Sequence, residues 1–343
     1  MKVTRKLAAA SAACGVLALC AASAARADIT LTYSSWVPPT HHLTIWQANW
    51  AKEIEKATDG RVKFQGLPKH PAAAPGTFDA VRDDLVDLSY VTASYTPARH
   101  ILPLMAELPG AADTAEVNSV AYSRIHWKYF QKVGEYKGVK LLAVWTHGPG
   151  QMFTKKAIKS LADFQGLKIR TGGGISEQVI TALGGSPLFK PAPQSYELLN
   201  SGVADGIFFP FESIASFKLD KVISDATVFP GGLYSSSFGF FMNQEKWNSI
   251  PKADQAIIEK HAFEYAARSN GQSWDHADQV GLQALKAAGG RITQASPQMV
   301  AEVHKRSQPI IDDWIKKASA KGVDAKRALD EFHAEIKKLS RGK

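Results

Sequence analysis

Apolar positions along the chain switch between two rhythms. ITLTYSSW (29–36) opens on the alternation of a half-buried strand, and LTIWQANWAKEIEKAT (43–58) carries its apolar residues at helical spacing until Asp59-Gly60 stops it. RVKFQGL (61–67) reads as strand, GTFDAVRDDLV (76–86) as helix and DLSYVT (87–92) as strand. This β-α-β-α-β alternation predicts a parallel or mixed sheet wrapped by helices.

A second set follows. GVKLLAVW (138–145) is almost continuously apolar, as in a strand covered on both faces, and GLKIR (166–170) and DGIFFP (205–210) repeat that character. The stretches 174–185 and 195–202 between them have helical spacing, so the three strands are expected to form a second small sheet. SSSFGFFMN (235–243) is a further strand candidate. A helical tract then runs over 252–288 to Gly289-Gly290. At 1.5 Å per residue it would extend about 54 Å, longer than one lobe of such a chain, so it is expected to span two.

The first 27 residues stand apart. A Lys/Arg-bearing start, an alanine- and leucine-rich middle and the ending Ala25-Arg26-Ala27 form the pattern of a secretory signal peptide. Cleavage after Ala27 leaves 316 residues without either cysteine, Cys14 or Cys20. It lowers the formal charge from +9 to +5, since Lys2, Arg5, Lys6 and Arg26 leave and no acid does. An exported chain without disulfides depends on core burial, and this length suffices for two lobes. Its weak, dispersed basicity argues against nucleic acid as a partner and mildly favours anionic small molecules.

Arg170 is the residue that calls for explanation. It ends the apolar run GLKIR and precedes Gly172-Gly173-Gly174 and a helix. An arginine stays charged in a protein, so at the carboxyl end of an α/β strand it needs either water or an anion. One reading is a ligand carboxylate held by paired charge-assisted hydrogen bonds, with the glycines allowing close approach and the helix amino terminus adding N–H groups. The other is a structural pair with Asp163 or Glu177. The residues alone divide evenly between them.

The order of GLKIR (166–170), the preceding MFTKKAIKSLADFQ (152–165), SGVADG (201–206) and FFMNQEKWNSIP (240–251) resembles the solute-binding proteins of TRAP transporters, the DctP-type periplasmic receptors. The resemblance implies an α/β, two-lobed periplasmic binding protein fold, with a mixed sheet in each lobe and a long helix spanning both. It places lobe 1 at 28–147 plus 236–276, and lobe 2 at 148–235 plus 277–343 with the carboxyl-terminal helices. It also implies a non-catalytic receptor without cofactor that closes on a small carboxylate in the periplasm and docks on membrane permease subunits. The amphipathic tract 296–318 is read as core packing, which gives a monomer, with pairing through terminal helices as the alternative. Arg170 matches the arginine that meets the substrate carboxylate in that family. Where many members have a second arginine, this chain has Gln151, and Phe208 and Phe209 replace a common Glu-Asn pair. Losing one guanidinium and gaining an apolar wall points to an apolar or aromatic monocarboxylate.

Trp36 and Thr92, at the ends of the first and third strands, are expected to project into the cleft, and Tyr234 and Phe238 to lie near a lobe crossing. Core packing is the alternative for each aromatic. Glu212 is a candidate for a ligand hydroxyl or amine, or for a bridging cation, against the plainer reading of a solvated loop acid. Hinges are expected near 147–149 and 235–236. His41-His42, His70 and His100 lack metal-ligand spacing, and adjacent histidines on an extended chain point apart, so no metal site is expected. Neither a G-x-S-x-G elbow nor a P-loop is present, and a secreted hydrolase is disfavoured. An ABC-type or sensory receptor for an amino acid or other anion is the alternative within the binding class.

Overall fold

The computed structural model describes residues 28–342; the signal-peptide reading falls on residues outside these. The first half runs β1 (Ile29–Tyr33), α1 (His42–Ala57), β2 (Val62–Gly66), α2 (Thr77–Arg82), β3 (Leu88–Thr92), α3 (Ala115–Ile125) and β4 (Val139–Thr146). It continues through β5 (Gln151–Thr154), β6 (Lys168–Thr171), α4 (Ile175–Ala182), β7 (Ser186–Phe189), α5 (Ser195–Asn200), β8 (Gly206–Phe209), α6 (Glu212–Ser216) and β9 (Asp225–Val228). The chain ends with β10 (Ser237–Asn243), α7 (Gln244–Ser249), α8 (Lys252–Lys260), α9 (Phe263–Ala287), β11 (Arg291–Gln294), α10 (Pro297–Ala320) and α11 (Ala325–Arg341).

Two mixed sheets result, in the orders β2-β1-β3-β10-β4 and β11-β9-β5-β8-β6-β7. In the first, β1 is parallel to β2 and β3 while β10 runs antiparallel between β3 and β4. In the second, β6 is parallel to β7 and β8, and β5 is antiparallel to β8 and β9. The strand at 138–145 therefore does not join the 166–170 and 205–210 strands as its sequence suggested. Its continuous apolar run is covered by α3 and α9 in the first lobe.

Helical spacing in α1 puts Leu43, Trp46, Trp50 and Ile54 on one buried face. Trp46 and Trp50 meet Phe240 of β10 edge to face at 5.4 and 5.0 Å, which ties helix to sheet. The tract at 252–288 is not one helix. It breaks between α8 and α9, where Phe263 takes a left-handed φ of 53° and sets its ring edge-on to Trp127 at 4.7 Å. Of that tract, α9 alone bridges the lobes. Asp275 accepts the backbone N–H groups of Ala115 and Glu116 at 2.6 and 3.1 Å, capping α3 of the first lobe. Asp278 accepts the backbone N–H of Glu212 at 2.7 Å, capping α6 of the second. At the end of the chain, α10 packs on α4 and α11 returns to α3, so the tail assigned whole to the second lobe by sequence is divided between the two.

Candidate ligand-binding cleft

Facing ends of the two sheets line a narrow cavity of about 40 Å³, tighter than the ~300–1,000 Å³ usual for small-molecule sites. Thr92 ends β3, His147 follows β4, Arg170 stands one residue before the end of β6, and Phe209 ends β8; all four line the cavity. These are carboxyl ends of strands, where α/β sheets hold ligands.

Arg170 is buried, with 1% of its surface exposed. Its Nε and Nη2 donate to the Lys190 carbonyl oxygen at 2.9 and 2.7 Å, and its guanidinium lies 4.3 Å from the centre of the Phe209 ring. Burial pushes its pKa down, opposed only by Tyr95 and Tyr234; among the described residues no carboxylate pairs with it. Asp163 instead accepts the backbone N–H groups of Lys159 and Ser160 at 3.0 and 2.9 Å, and Glu177 is exposed. A buried cation held only by carbonyl and hydroxyl dipoles leaves an anion's place beside it.

The glycines after Arg170 serve a different anion from the one expected. Glu107 accepts hydrogen bonds from Ser94 Oγ at 2.8 Å, from Ser237 N and Oγ at 3.0 and 2.8 Å, and from the backbone of Ile175 at the start of α4. A Cβ on Gly174, whose φ is +65°, would sit 2.9 Å from Glu107 Oε2. The amino terminus of α4 is thus met by the protein's own carboxylate. Burial raises the Glu107 pKa to about 7, against the pull of those donors.

Trp36, Thr92, Phe209, Tyr234 and Phe238 all reach the cavity. Two of their polar atoms are spent on the chain itself, Trp36 Nε1 donating to Tyr90 O at 2.9 Å and Tyr234 Oη to Phe208 O at 3.0 Å, so these walls are chemically apolar. Gln151 does not reach it. Its amide donates to Phe229 O at 3.2 Å and accepts from Phe229 N at 2.8 Å, pinning β5 to the turn after β9. Phe208 also falls outside. Period-2 alternation turns it to the other face of β8, stacked between Phe164 and Tyr234 at 5.9 and 6.1 Å.

Glu212 is not a solvated loop acid but a buried carboxylate at the cavity edge. Its Oε2 accepts from Ser213 Oγ at 2.9 Å, and its Oε1 from Ser216 Oγ and from His41 Nε2, the latter at 3.1 Å. His41 caps α1, its Nδ1 accepting the Leu43 N–H at 3.2 Å. Because a helix starts there, His41 and His42 stack at 4.9 Å with 30° between rings instead of pointing apart. One ligand atom from each of His41, His42 and Glu212 lies within 4.8 Å of the others. Metal binding at His41 Nε2 would move its proton to Nδ1, donor against the Leu43 donor. The geometry instead makes His41 and Glu212 a hydrogen-bonded latch between lobes. Burial lowers the pKa of both histidines. His70 and His100 lie elsewhere, bonded to Ser34 and Thr77 and to Thr96.

Sequence reasoning missed Tyr95, His147 and Trp274. Tyr95 crosses the cleft, its hydroxyl accepting the Ala192 N–H at 2.9 Å and bonding Arg170. His147 lies in the expected hinge, where a position between strands gave no hint of a cavity wall. Its Nδ1 donates to Gly148 O, and burial above all, with the charge of Arg170, lowers its pKa to about 4, so its ring is neutral. Trp274 comes from the middle of α9 and packs against His42, His147 and Phe238 at 4.2, 5.6 and 6.0 Å.

A small cavity shut between two α/β lobes, with one buried guanidinium and aromatic walls, defines a solute-binding protein that clamps its ligand. The family described as bacterial extracellular solute-binding protein, family 7 (DctP) matches residues 33–317, and the chain belongs to it. It is therefore a receptor of the TRAP transport class and not an enzyme. The TsaT protein of Comamonas testosteroni, an outer membrane transporter protein by name, is 29% identical over 93% of this chain and 95% of its own. A TRAP solute-binding protein from Bordetella bronchiseptica, solved with (R)- and (S)-mandelate, is 44% identical, covers 91% of this chain and 99% of its own, and superposes with a TM-score of 0.89. A marine metagenome TRAP protein specific for aromatic acids, solved with 3-hydroxybenzoate, is 30% identical over 91% of this chain and 99% of its own, with a TM-score of 0.85.

Proposed function

We propose that this protein is exported to the periplasm on a cleaved signal peptide, captures an aromatic monocarboxylate there, and delivers it as a monomer to the membrane subunits of a TRAP transporter. The observation that carries this reading is Arg170, a buried guanidinium without an acid partner among the described residues, stacked on Phe209 in an aromatic-walled cavity. Its unspent donors suit one carboxylate. The absence of Gln151 from the walls leaves no second polar clamp at that end, which disfavours a dicarboxylate. Relatives that bind mandelate and 3-hydroxybenzoate support an aromatic body.

The test is a thermal-shift panel of benzoate, mandelate, 3-hydroxybenzoate and succinate on the purified protein. A ligand at 100 times its dissociation constant stabilises by about 2.7 kcal/mol, an easily read change in midpoint. Aromatic acids are expected to raise the midpoint and succinate to leave it unchanged. A shift with succinate alone would overturn the reading.

A further inference from the structure

His147 presents an unspent acceptor in the cavity wall. Because Gly148 O can only accept, His147 Nδ1 carries the ring proton and Nε2 presents a bare lone pair. That atom is buried and has no hydrogen-bond partner among the described residues. Its surroundings offer none from the walls: Tyr234 lies edge-on at 5.2 Å with its hydroxyl spent on Phe208 O, and Phe238 has no donor. Trp274, 5.6 Å away between ring centres, carries an indole N–H that is likewise buried without a partner. Buried polar atoms are usually paired, and of those left without a partner among the described residues, His147 Nε2 and Trp274 Nε1 belong to residues that line the ligand cavity, an acceptor and a donor open to a ligand group.

We infer that the ligand is a hydroxyl-bearing aromatic carboxylate, whose hydroxyl donates to His147 Nε2 and accepts from Trp274 Nε1 while its carboxylate faces Arg170. This rests on the aromatic-acid reading above and narrows it. A hydroxyl is the small neutral group that gives and takes at once. A keto oxygen offers only an acceptor, lone pair against lone pair at His147, and an ammonium group would set its hydrogens against the indole N–H. A site built to pair a hydroxyl rejects the analogue lacking it strongly, because its own buried groups are then left unpaired.

The experiment is isothermal titration of the full-length mature protein with mandelate, 3-hydroxyphenylacetate, phenylacetate and phenylglyoxylate, repeated on His147→Leu. Phenylacetate is the shared skeleton without the hydroxyl, and phenylglyoxylate the 2-oxo form. At least one hydroxylated acid should bind about tenfold or more tighter than phenylacetate, phenylglyoxylate no tighter than phenylacetate, and the gap should collapse in His147→Leu. Phenylacetate binding as tightly as both hydroxylated acids overturns the inference while leaving the aromatic-acid reading intact. So does a keto acid matching the hydroxy acids, or an advantage that survives in His147→Leu. Should the variant fail to fold, the wild-type series decides alone. If none of the four acids binds, this inference falls, and the aromatic-acid reading falls with it when benzoate and 3-hydroxybenzoate also leave the melting midpoint unchanged.

Discussion

Replacing Arg170 with methionine separates the two roles an arginine at this place can have. In the wild type the guanidinium is desolvated, spends two donors on the Lys190 carbonyl and stacks on Phe209 without a carboxylate among the described residues. Methionine fills a similar volume and packs on the same ring, and it forfeits hydrogen bonds each worth about 1.5–3 kcal/mol when charged. It also removes a buried charge whose desolvation costs several kcal/mol, and such replacements range from neutral to stabilising. The ligand-free midpoint should therefore stay within the ~2–4 °C that 1 kcal/mol represents in a protein of this size class, or rise. Binding should not survive. Two charge-assisted bonds to a carboxylate, about 3–6 kcal/mol together, correspond to a loss of roughly 10²–10⁴-fold in affinity. Calorimetric melting without ligand, paired with titration of an aromatic acid, reads both quantities. A variant that melts far earlier yet binds as before would refute the reasoning and make Arg170 a staple.

Three further outcomes are expected. Gln151→Ala should lower the midpoint, since Phe229 N and O each lose a partner at about 1–3 kcal/mol, while ligand affinity changes less than about threefold; a large loss of affinity would put Gln151 back in the site. Glu107 has a folded pKa near 7 against 4.5 for the free group, so the folded state binds the extra proton between those values and stability from this group falls as pH rises from about 4.5 to 7. Melting curves of Glu107→Gln should accordingly gain on the wild type across that window, and parallel curves would refute the shift. Gly281→Ala would place a Cβ 1.8 Å from the Phe211 carbonyl oxygen, so a destabilisation of about 1–3 kcal/mol in urea unfolding is expected, and an unchanged midpoint would contradict this packing of α9 on α6.

Of the first sheet, β1, β2 and β3 with α1 were legible because they alternate along the chain, whereas β4 and β10 show as strands but not which sheet they join, since their pairing is long-range. The strands at 151–154, 186–189, 225–228 and 291–294 are four residues each, too short for alternation to register, and their partners lie far away in sequence. The break before α9 has no proline or glycine to mark it; a phenylalanine is held at positive φ by a tertiary contact. Within the site, strand ends betrayed Trp36, Thr92 and Arg170, and Phe209 came from the family resemblance. Period 2 already implied that Phe208 and Phe209 could not share a face. His41, His147 and Trp274 lie at a helix start, a crossover and a helix middle, and only the meeting of lobes turns them toward one space.

Asp275 and Asp278 sit three residues apart on α9, each gripping the start of a helix in a different lobe. The lobes thereby share an axle. Sliding along it or turning about it would draw a helix start off its aspartate, so the two carboxylates hold each lobe at its place on the rod. The segments that must flex pass close to this axle, and at Gly148 a Cβ would lie 1.9 Å from Asp278 Oδ2. Only a residue without a side chain clears it. Both lobes take their bearings from one helix, and since Trp274 of that helix also lines the cleft, a change that displaced α9 would be felt by both lobes and by the ligand wall at once.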